Sequence, residues 1–508
     1  MRLKQRPEDF SVKESYRFDD VPTGKYRVYL MDKQKLSTFD AIAKITTKFG
    51  LRPGAISYCG LKDKQGRTEQ IIAVDGFDVD MQDELLRLKF LGRTDKPLSS
   101  ANTTSNRFAV TVRQVREDEL SQVNMAAAEV ARLGVVNYFD SQRFGSLKHG
   151  QGFIAKDLIR GDFEAALKNH LARPSPLDQT EDAKVKQFWA EHWGNWTAKC
   201  PYPSNRKYVR ILNSLRDEPH DFVNAFLQID SAYRAMLLFT YQSFLWNEGV
   251  RRLLQLLLPR EHIFPMPYQA GTLLHHKDAP QELMGYLRHV TFPLLAPNST
   301  FTDPKVEEAV KWVLGREKMP LESLRIAESP KLLFFKHEER AVLVNPAKLV
   351  VGKPRFDDLN EGSYKVNIAF TLPPGSYATL VVKRLFHFSF KKESDFEGER
   401  YAKPTLPPSS GVIKPKRFDE EGDEIENDEL DDSVSAPRPA PRPDSRAAGP
   451  RRSAPRRSAP RSRPAAAPAP AVISPRIVEA PVKKKGYLER QRDKKLLTDE
   501  RRRGVKNN

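Results

Sequence analysis

Runs of β-branched and aromatic residues, bounded by turn formers, mark strands in the first part of the chain at 25–30 (KYRVYL), 71–77 (IIAVDGF) and 108–115 (FAVTVRQV). Between them, 37–50 (STFDAIAKITTKFG) places Phe39, Ile42, Ala43 and Ile45 at helical spacing. Ser37 or Thr38 is available to cap its start and Gly50 to stop it. Residues 121–133 and 231–258 also read as helices, the second long and apolar enough to form core. Near the end, 364–370 (YKVNIAF) and 377–385 (YATLVVKRL) read as two more strands separated by the turn LPPGS. Strands at both ends around a helix-rich middle predict an α+β domain interrupted by an insertion.

After about residue 395 the pattern stops. An acidic run is followed by Pro/Ala/Arg-rich sequence with the near-repeat RRSAPRRSAPRSRP at 451–464. Such a composition buries too little apolar surface to offset its ordering entropy, so 396–508 is expected to be disordered. Its basic end, 483–508, is expected to bind RNA, with a solvated solubility tail as the alternative. The net charge of +18 divides unevenly: 419–432 carry ten carboxylates and no cation, 437–508 carry 21 Lys/Arg against six Asp/Glu, and residues 1–418 hold +13. The folded part is therefore basic without its tail. A surface of that sign attracts a phosphate backbone, although charge alone serves solubility equally well.

Other classes are excluded by what the chain lacks. Its two cysteines, Cys59 and Cys200, have no CxxC partner, which argues against a zinc ribbon or a disulfide framework. His275-His276 lacks further ligands at metal spacing, and Trp193 and Trp196 read as packing anchors. The start, MRLKQRPEDF, has no apolar stretch of a signal peptide, and no apolar run is long enough to span a membrane. A cytoplasmic protein is expected.

The segment 56–70 (ISYCGLKDKQGRTEQ) carries the strongest chemical signal. It reads as a short strand ending at Gly60, a charged turn, and a second strand entered at Thr68 and Gln70. Asp63 between Lys62 and Lys64 has its carboxylate form favoured by nearby positive charge, and an ionised carboxylate is a competent nucleophile. By spacing alone, a charged surface turn is the commoner reading.

GLKDKQGRTEQ resembles the signature of the TruD family of pseudouridine synthases, and four further stretches match that family in order. They are RPEDFSVKE (6–14) with Lys4 upstream, Asn106-Arg107-Phe108, NYFDSQRFG (137–145) and LPPGSYAT (372–379). YQSFLWN (241–247) also resembles a family helix whose aromatic spacing suits a core. Gly66 stands where the family usually has alanine and is expected to loosen the turn; Asp140 replaces a glycine, as a residue tolerant of left-handed backbone.

The resemblance implies a pseudouridine synthase catalytic domain with a mixed, mainly antiparallel sheet, built from 1–155 and 345–395. A TruD-type α/β insertion domain, 156–344, interrupts it. The implied reaction is isomerisation of uridine to pseudouridine in an extruded nucleotide, most often at position 13 of tRNA. Asp63 is then the nucleophile. Lys4, Phe10, Asn137, Phe139 and Tyr377 are implied in substrate binding, with Lys4 holding a phosphate or lying beside Asp63. Lys62, Gln70 and Arg143 are expected in support, Arg143 equally as a structural ion-pair partner. Nothing is oxidised and no group is imported, so no cofactor and no metal is expected. The expected partner is tRNA or another structured RNA, with no membrane, and the protein is expected to be a monomer. The alternative is a non-catalytic RNA-binding or RNA-folding protein that retains the fold.

Overall fold

The structure is a computed structural model that describes residues 1–149, 152–175, 178 and 180–389. The disorder and RNA-binding role expected of 396–508 lie outside the described residues.

Nine strands form the main sheet. Six come from the first part of the chain: β1 (Phe10–Tyr16), β2 (Tyr26–Gln34), β3 (Ile56–Tyr58), β4 (Arg67–Asp75), β5 (Leu86–Thr94) and β6 (Thr103–Val115). Ala347–Val351, Arg355–Phe356 and Tyr364–Leu372 return from far along the chain to complete it. The order runs Ala347–Val351, Tyr364–Leu372, β6, β1, β4, β2, β5, with β3 on β4 and Arg355–Phe356 on Tyr364–Leu372. The β1–β4 pair is parallel and the other pairs are antiparallel, so the sheet is mixed and mainly antiparallel, as the resemblance implied.

Register decides what shares a face. Phe10 pairs with Val110, Val12 with Phe108 and Glu14 with Asn106. Val110, Phe108 and Asn106 in turn pair with Ile368, Phe370 and Leu372. Because Val12 also pairs with Thr68, the side chains of Thr68, Gln70, Ile72 and Val74 lie on that same face. Helix α1 (Thr38–Phe49) covers one part of it, packing Ala41 and Ile45 on Met31, Ile72 and Val74. Helix α2 (Leu120–Leu133) and the helix Ala378–Leu385 share the larger core with Phe10, Val12, Val110, Ile368 and Phe370. The buried polar side chains of Glu14, Thr68 and Gln70 fall between these two apolar regions. That polar floor positions the site.

Local chemistry explains the helices that patterning predicted. Ser37 caps α1, accepting from Asp40 N, and Gly50 ends it in the left-handed conformation at φ 60°. The 27-residue helix Ser231–Leu257 starts at Asp230, whose carboxylate accepts from Ala232 N and Tyr233 N. Between α2 and the last strands, helices such as Phe163–Leu171, Thr180–Glu191, Gln281–His289 and Pro304–Glu317 accompany the hairpin Ile263–Tyr268/Gly271–His276. Trp193 and Trp196 pack edge to face at 4.8 Å, as packing anchors. None of the described helices is long and apolar enough to cross a membrane.

One expectation is corrected. Residues 377–385 do not form a strand: Tyr377 precedes a helix, Ala378–Leu385. Its β-branched Val381 and Val382 suggest extended backbone, but every residue of the helix is buried. The helix is only eight residues long and no side chain caps its start, so little in the local sequence marks it as helical, and its packing overrides the β preference of the valines.

Candidate active site

Asp63 lies in the loop joining β3 to β4, above the polar floor of the sheet. The loop is tied down at several points. Thr38, the first residue of α1, accepts from Lys62 N at 3.0 Å and donates to Gln70 Oε1 at 3.0 Å. Gln70 Nε2 donates to Gly60 O at 3.0 Å. Lys62 Nζ reaches Glu14 at 2.5 Å; this fully buried carboxylate also accepts from Ile71 N and from the Thr103 hydroxyl, both at 3.0 Å. Lys33 Nζ donates to Asp63 O at 2.9 Å. The backbone on both sides of the carboxylate is therefore fixed by side chains from β1, β2, α1 and β4.

The carboxylate itself remains partly open, with 12% of its side chain exposed. Asp63 Oδ1 accepts from Gln65 N and Oδ2 from Lys4 Nζ, each at 2.7 Å. The flanking lysines turn elsewhere, Lys62 to Glu14 and Lys64 to Asp40. The ammonium in contact with Asp63 thus comes from Lys4, outside the KDK cluster. Lys4 holds a left-handed backbone conformation, φ 58°, uncommon for a residue with a side chain and a sign of local constraint. Its segment is anchored on either side: Arg2 pairs with Arg113 through backbone hydrogen bonds, and the buried Arg113 guanidinium binds Asp9, Asp357 and Asp358. Of the two roles implied for Lys4, the structure places it beside Asp63, 4.4 Å over the Phe10 ring.

Phe10 is buried and forms a wall against the loop. A Cβ on Gly66 would lie 2.2 Å from the Phe10 carbonyl oxygen. The expectation that Gly66 loosens the turn is corrected by this close approach. Gly66 permits a close backbone approach that a methyl group would block.

Asn137, Phe139, Arg143 and Tyr377 form a second group. Asn137 Nδ2 donates to Ala341 O at 3.1 Å, and its Oδ1 accepts from Arg340 at 2.8 Å. One amide hydrogen and one lone pair remain beyond these bonds. Asn247 holds Phe139 from both sides of its peptide, accepting from Phe139 N at 2.9 Å and donating to Phe139 O at 2.8 Å. This clamp turns the ring inward, edge to face with Phe239, Trp246 and Tyr377, leaving Phe139 only 2% exposed. Its ring packs beneath the Arg340 guanidinium, 4.2 Å away. Among the described residues Arg143 has no ion-pair partner. Its Nε donates to the Tyr377 hydroxyl at 3.2 Å and its guanidinium lies 4.5 Å over Phe239. Among the described residues, neither Arg143 nor Arg340 meets a carboxylate.

Sequence reasoning missed the roles at this site of Lys33, Thr38, Arg340 and Asn247, though Thr38 was seen as a possible cap and Asn247 as part of a family helix. Asn247 lies within the quoted family helix, where the aromatics drew attention; Arg340 has no motif and reaches the group through the fold, bridging Asn137 and Gly375 O. Burial pulls its guanidinium down to about 10. Asp140 is not in a left-handed conformation. It forms a buried ion pair with Lys383 at 2.8 Å; burial pushes its carboxyl up, but Lys383, Thr379 and Ser141 N outweigh that and hold it low. Cys59 is a small buried residue, its thiol raised by burial to about 11. His275 and His276 are buried, and burial holds both imidazoles below their ordinary value; among the described residues no cluster of three metal-binding side chains occurs.

The site therefore combines a partly open carboxylate on a mixed α+β sheet, a lysine beside it, and, elsewhere on the same chain, two arginines packed on aromatic rings with no carboxylate partner among the described residues. Residues 1–385 match the family described as tRNA pseudouridine synthase D (TruD). The chain is 31% identical over 399 residues to "Probable tRNA pseudouridine synthase D 1" of Methanococcus maripaludis, covering 76% of this chain and 100% of that protein. It is 31% identical over 395 residues to tRNA pseudouridine synthase D of Aquifex aeolicus, covering 76% and 98%. The crystal structure of the "Putative tRNA pseudouridine synthase D (TruD)" of Methanosarcina mazei superposes with a TM-score of 0.55 at 26% identity, covering 76% of this chain and 93% of that one. The chain belongs to the TruD family, whose members are isomerases.

Proposed function

We propose that this protein converts uridine to pseudouridine in tRNA, at position 13, with Asp63 as nucleophile and the target nucleotide turned out of its stack. The observation that carries this reading is the Asp63 carboxylate, partly open, its backbone fixed and Lys4 2.7 Å away. Membership in a family whose relatives are named for tRNA supports the substrate; position 13 follows from the resemblance. The protein acts in the cytoplasm on this reading, and 156–344 is the family's insertion domain.

The reaction balances without added atoms. The N1–C1′ bond of uridine breaks, the base turns over, C5 joins C1′, C5 gives up its proton and N1 carries one. Asp63 attacks the extruded nucleotide, which must leave the helix to be reached. Lys4 holds the carboxylate in place through its ion pair. Asn137 addresses the base with its remaining donor and acceptor; Tyr377 and the faces of Arg143 and Arg340 border it, backed by Phe139. Phe10 supports Lys4 and the loop, which Lys62 and Gln70 anchor.

The test is incubation with unmodified tRNA and mapping of pseudouridine by chemical derivatisation, since the product has the mass of the substrate. Asp63→Asn should lower turnover by at least about 10³-fold while tRNA binding is retained. Binding without product in the wild-type protein would support a non-catalytic RNA-binding role instead.

A further inference from the structure

Lys33 lies near the end of β2, paired with Thr68 at the start of β4, directly beneath the loop that bears Asp63. It is 1% exposed. Among the described residues no carboxylate lies within ion-pair distance of its amino group. Instead Nζ donates to two main-chain oxygens, Leu36 O at 2.7 Å and Asp63 O at 2.9 Å. A buried ammonium without a counter-ion is costly, and an apolar side chain of similar volume commonly serves stability better. The position is explained by what the amino group holds. Leu36 begins the turn into α1, and that turn delivers Thr38, the acceptor for Lys62 N. Asp63 O belongs to the residue that carries the reactive carboxylate. A single side chain therefore ties both edges of the loop's support together.

We infer that Lys33 is a positioning residue: its buried amino group joins the main chain of Asp63 to the turn between β2 and α1, and so fixes the direction of the Asp63 carboxylate. The inference rests on the reading of Asp63 as nucleophile. Charged groups face Lys33 from two elements, Asp63 and Lys62 of the loop and Asp40 of α1. Burial is the largest influence on the amino group and brings it down to about 8, against the attraction of Asp63.

Full-length Lys33→Met and Lys33→Gln test this in two ways. Amide hydrogen exchange across residues 60–66 should quicken in Lys33→Met while α1 and β4 stay protected. The single-turnover rate of pseudouridine formation at saturating tRNA should fall roughly ten- to a hundredfold, because a small misplacement of a catalytic group suffices for that. The tRNA Kd should stay within about twofold, since positioning acts on the chemical step rather than on uniform binding. Lys33→Gln, which keeps a donor, should lie between wild type and Lys33→Met. Wild-type exchange and wild-type rate in Lys33→Met overturn the inference, as does an equal loss of affinity and rate. Should the methionine variant not fold, the same two measurements on Lys33→Gln decide, with reduced protection and rate expected. If the wild-type protein makes no pseudouridine, the proposed function fails, and the exchange result still decides whether Lys33 holds the loop.

Discussion

At the scale of single residues, the site depends on contacts that only a particular side chain, or none, can make. Gly66 shows this most plainly. Its α-carbon faces the Phe10 carbonyl so closely that an added methyl would sit 2.2 Å from that oxygen. Gly66→Ala must therefore push the Asp63 loop off β1, at a cost of about 1–3 kcal/mol, the usual range for overpacking. A lower denaturant midpoint and a fall in turnover larger than any change in tRNA affinity are expected. An alanine variant with unchanged midpoint and turnover would show that the loop absorbs the methyl group elsewhere. Asp63 and Gln70 were legible from the motif because the carboxylate and the loop that holds it lie close together in sequence. Lys4 was legible only through resemblance, and Lys33 and Arg340 were not legible at all. A lysine in a strand and an arginine in a short ladder have ordinary solvated readings, and burial is what makes them unusual.

At the scale of elements, the helices recognised by period and caps, α1 and Ser231–Leu257, each start at a side-chain cap, Ser37 and Asp230. The helix Ala378–Leu385 is short, has no side-chain cap at its start, carries two adjacent valines, and was read as a strand. Its enclosure also creates a dependence on charge. Lys383 is 1% exposed and pairs with the buried Asp140, joining this helix to the segment that carries Asn137 and Phe139. Lys383→Met should destabilise the protein by about 3–5 kcal/mol near neutral pH, the range for leaving one buried charge uncompensated. The sign of its pH dependence follows from Asp140, whose carboxyl is held below its ordinary value in the intact pair. The pair therefore stabilises above the ordinary carboxylate range and loses that contribution as pH falls beneath it. In Lys383→Met the unpaired carboxyl shifts upward and protonates on acidification, so the gap in stability from wild type should narrow at low pH. Urea unfolding of both proteins across the acidic range checks this; a gap that widens on acidification contradicts it.

At the scale of the whole molecule, charge and chain order matter more than any contact. Residues 1–418 hold +13, and 437–508 add 21 Lys/Arg. Each cation neutralising a phosphate releases counter-ions, so tRNA affinity should fall steeply as salt rises. Deleting 396–508 should weaken binding and flatten that dependence; filter binding at several salt concentrations measures both, and equal slopes would assign all phosphate contacts to the rest of the chain. The sequence by itself determined the family, the place of the Asp63 loop, the α+β class and most of the helices and strands. These depend on neighbouring residues: a motif, a cap, a period of two or 3.6. Tertiary structure alone decided which lysine meets Asp63, why residue 66 is glycine, that 377–385 is helical and that Phe139 faces the core. Each of these is set by a partner distant in the chain and by removal from water, and neither is written in local sequence.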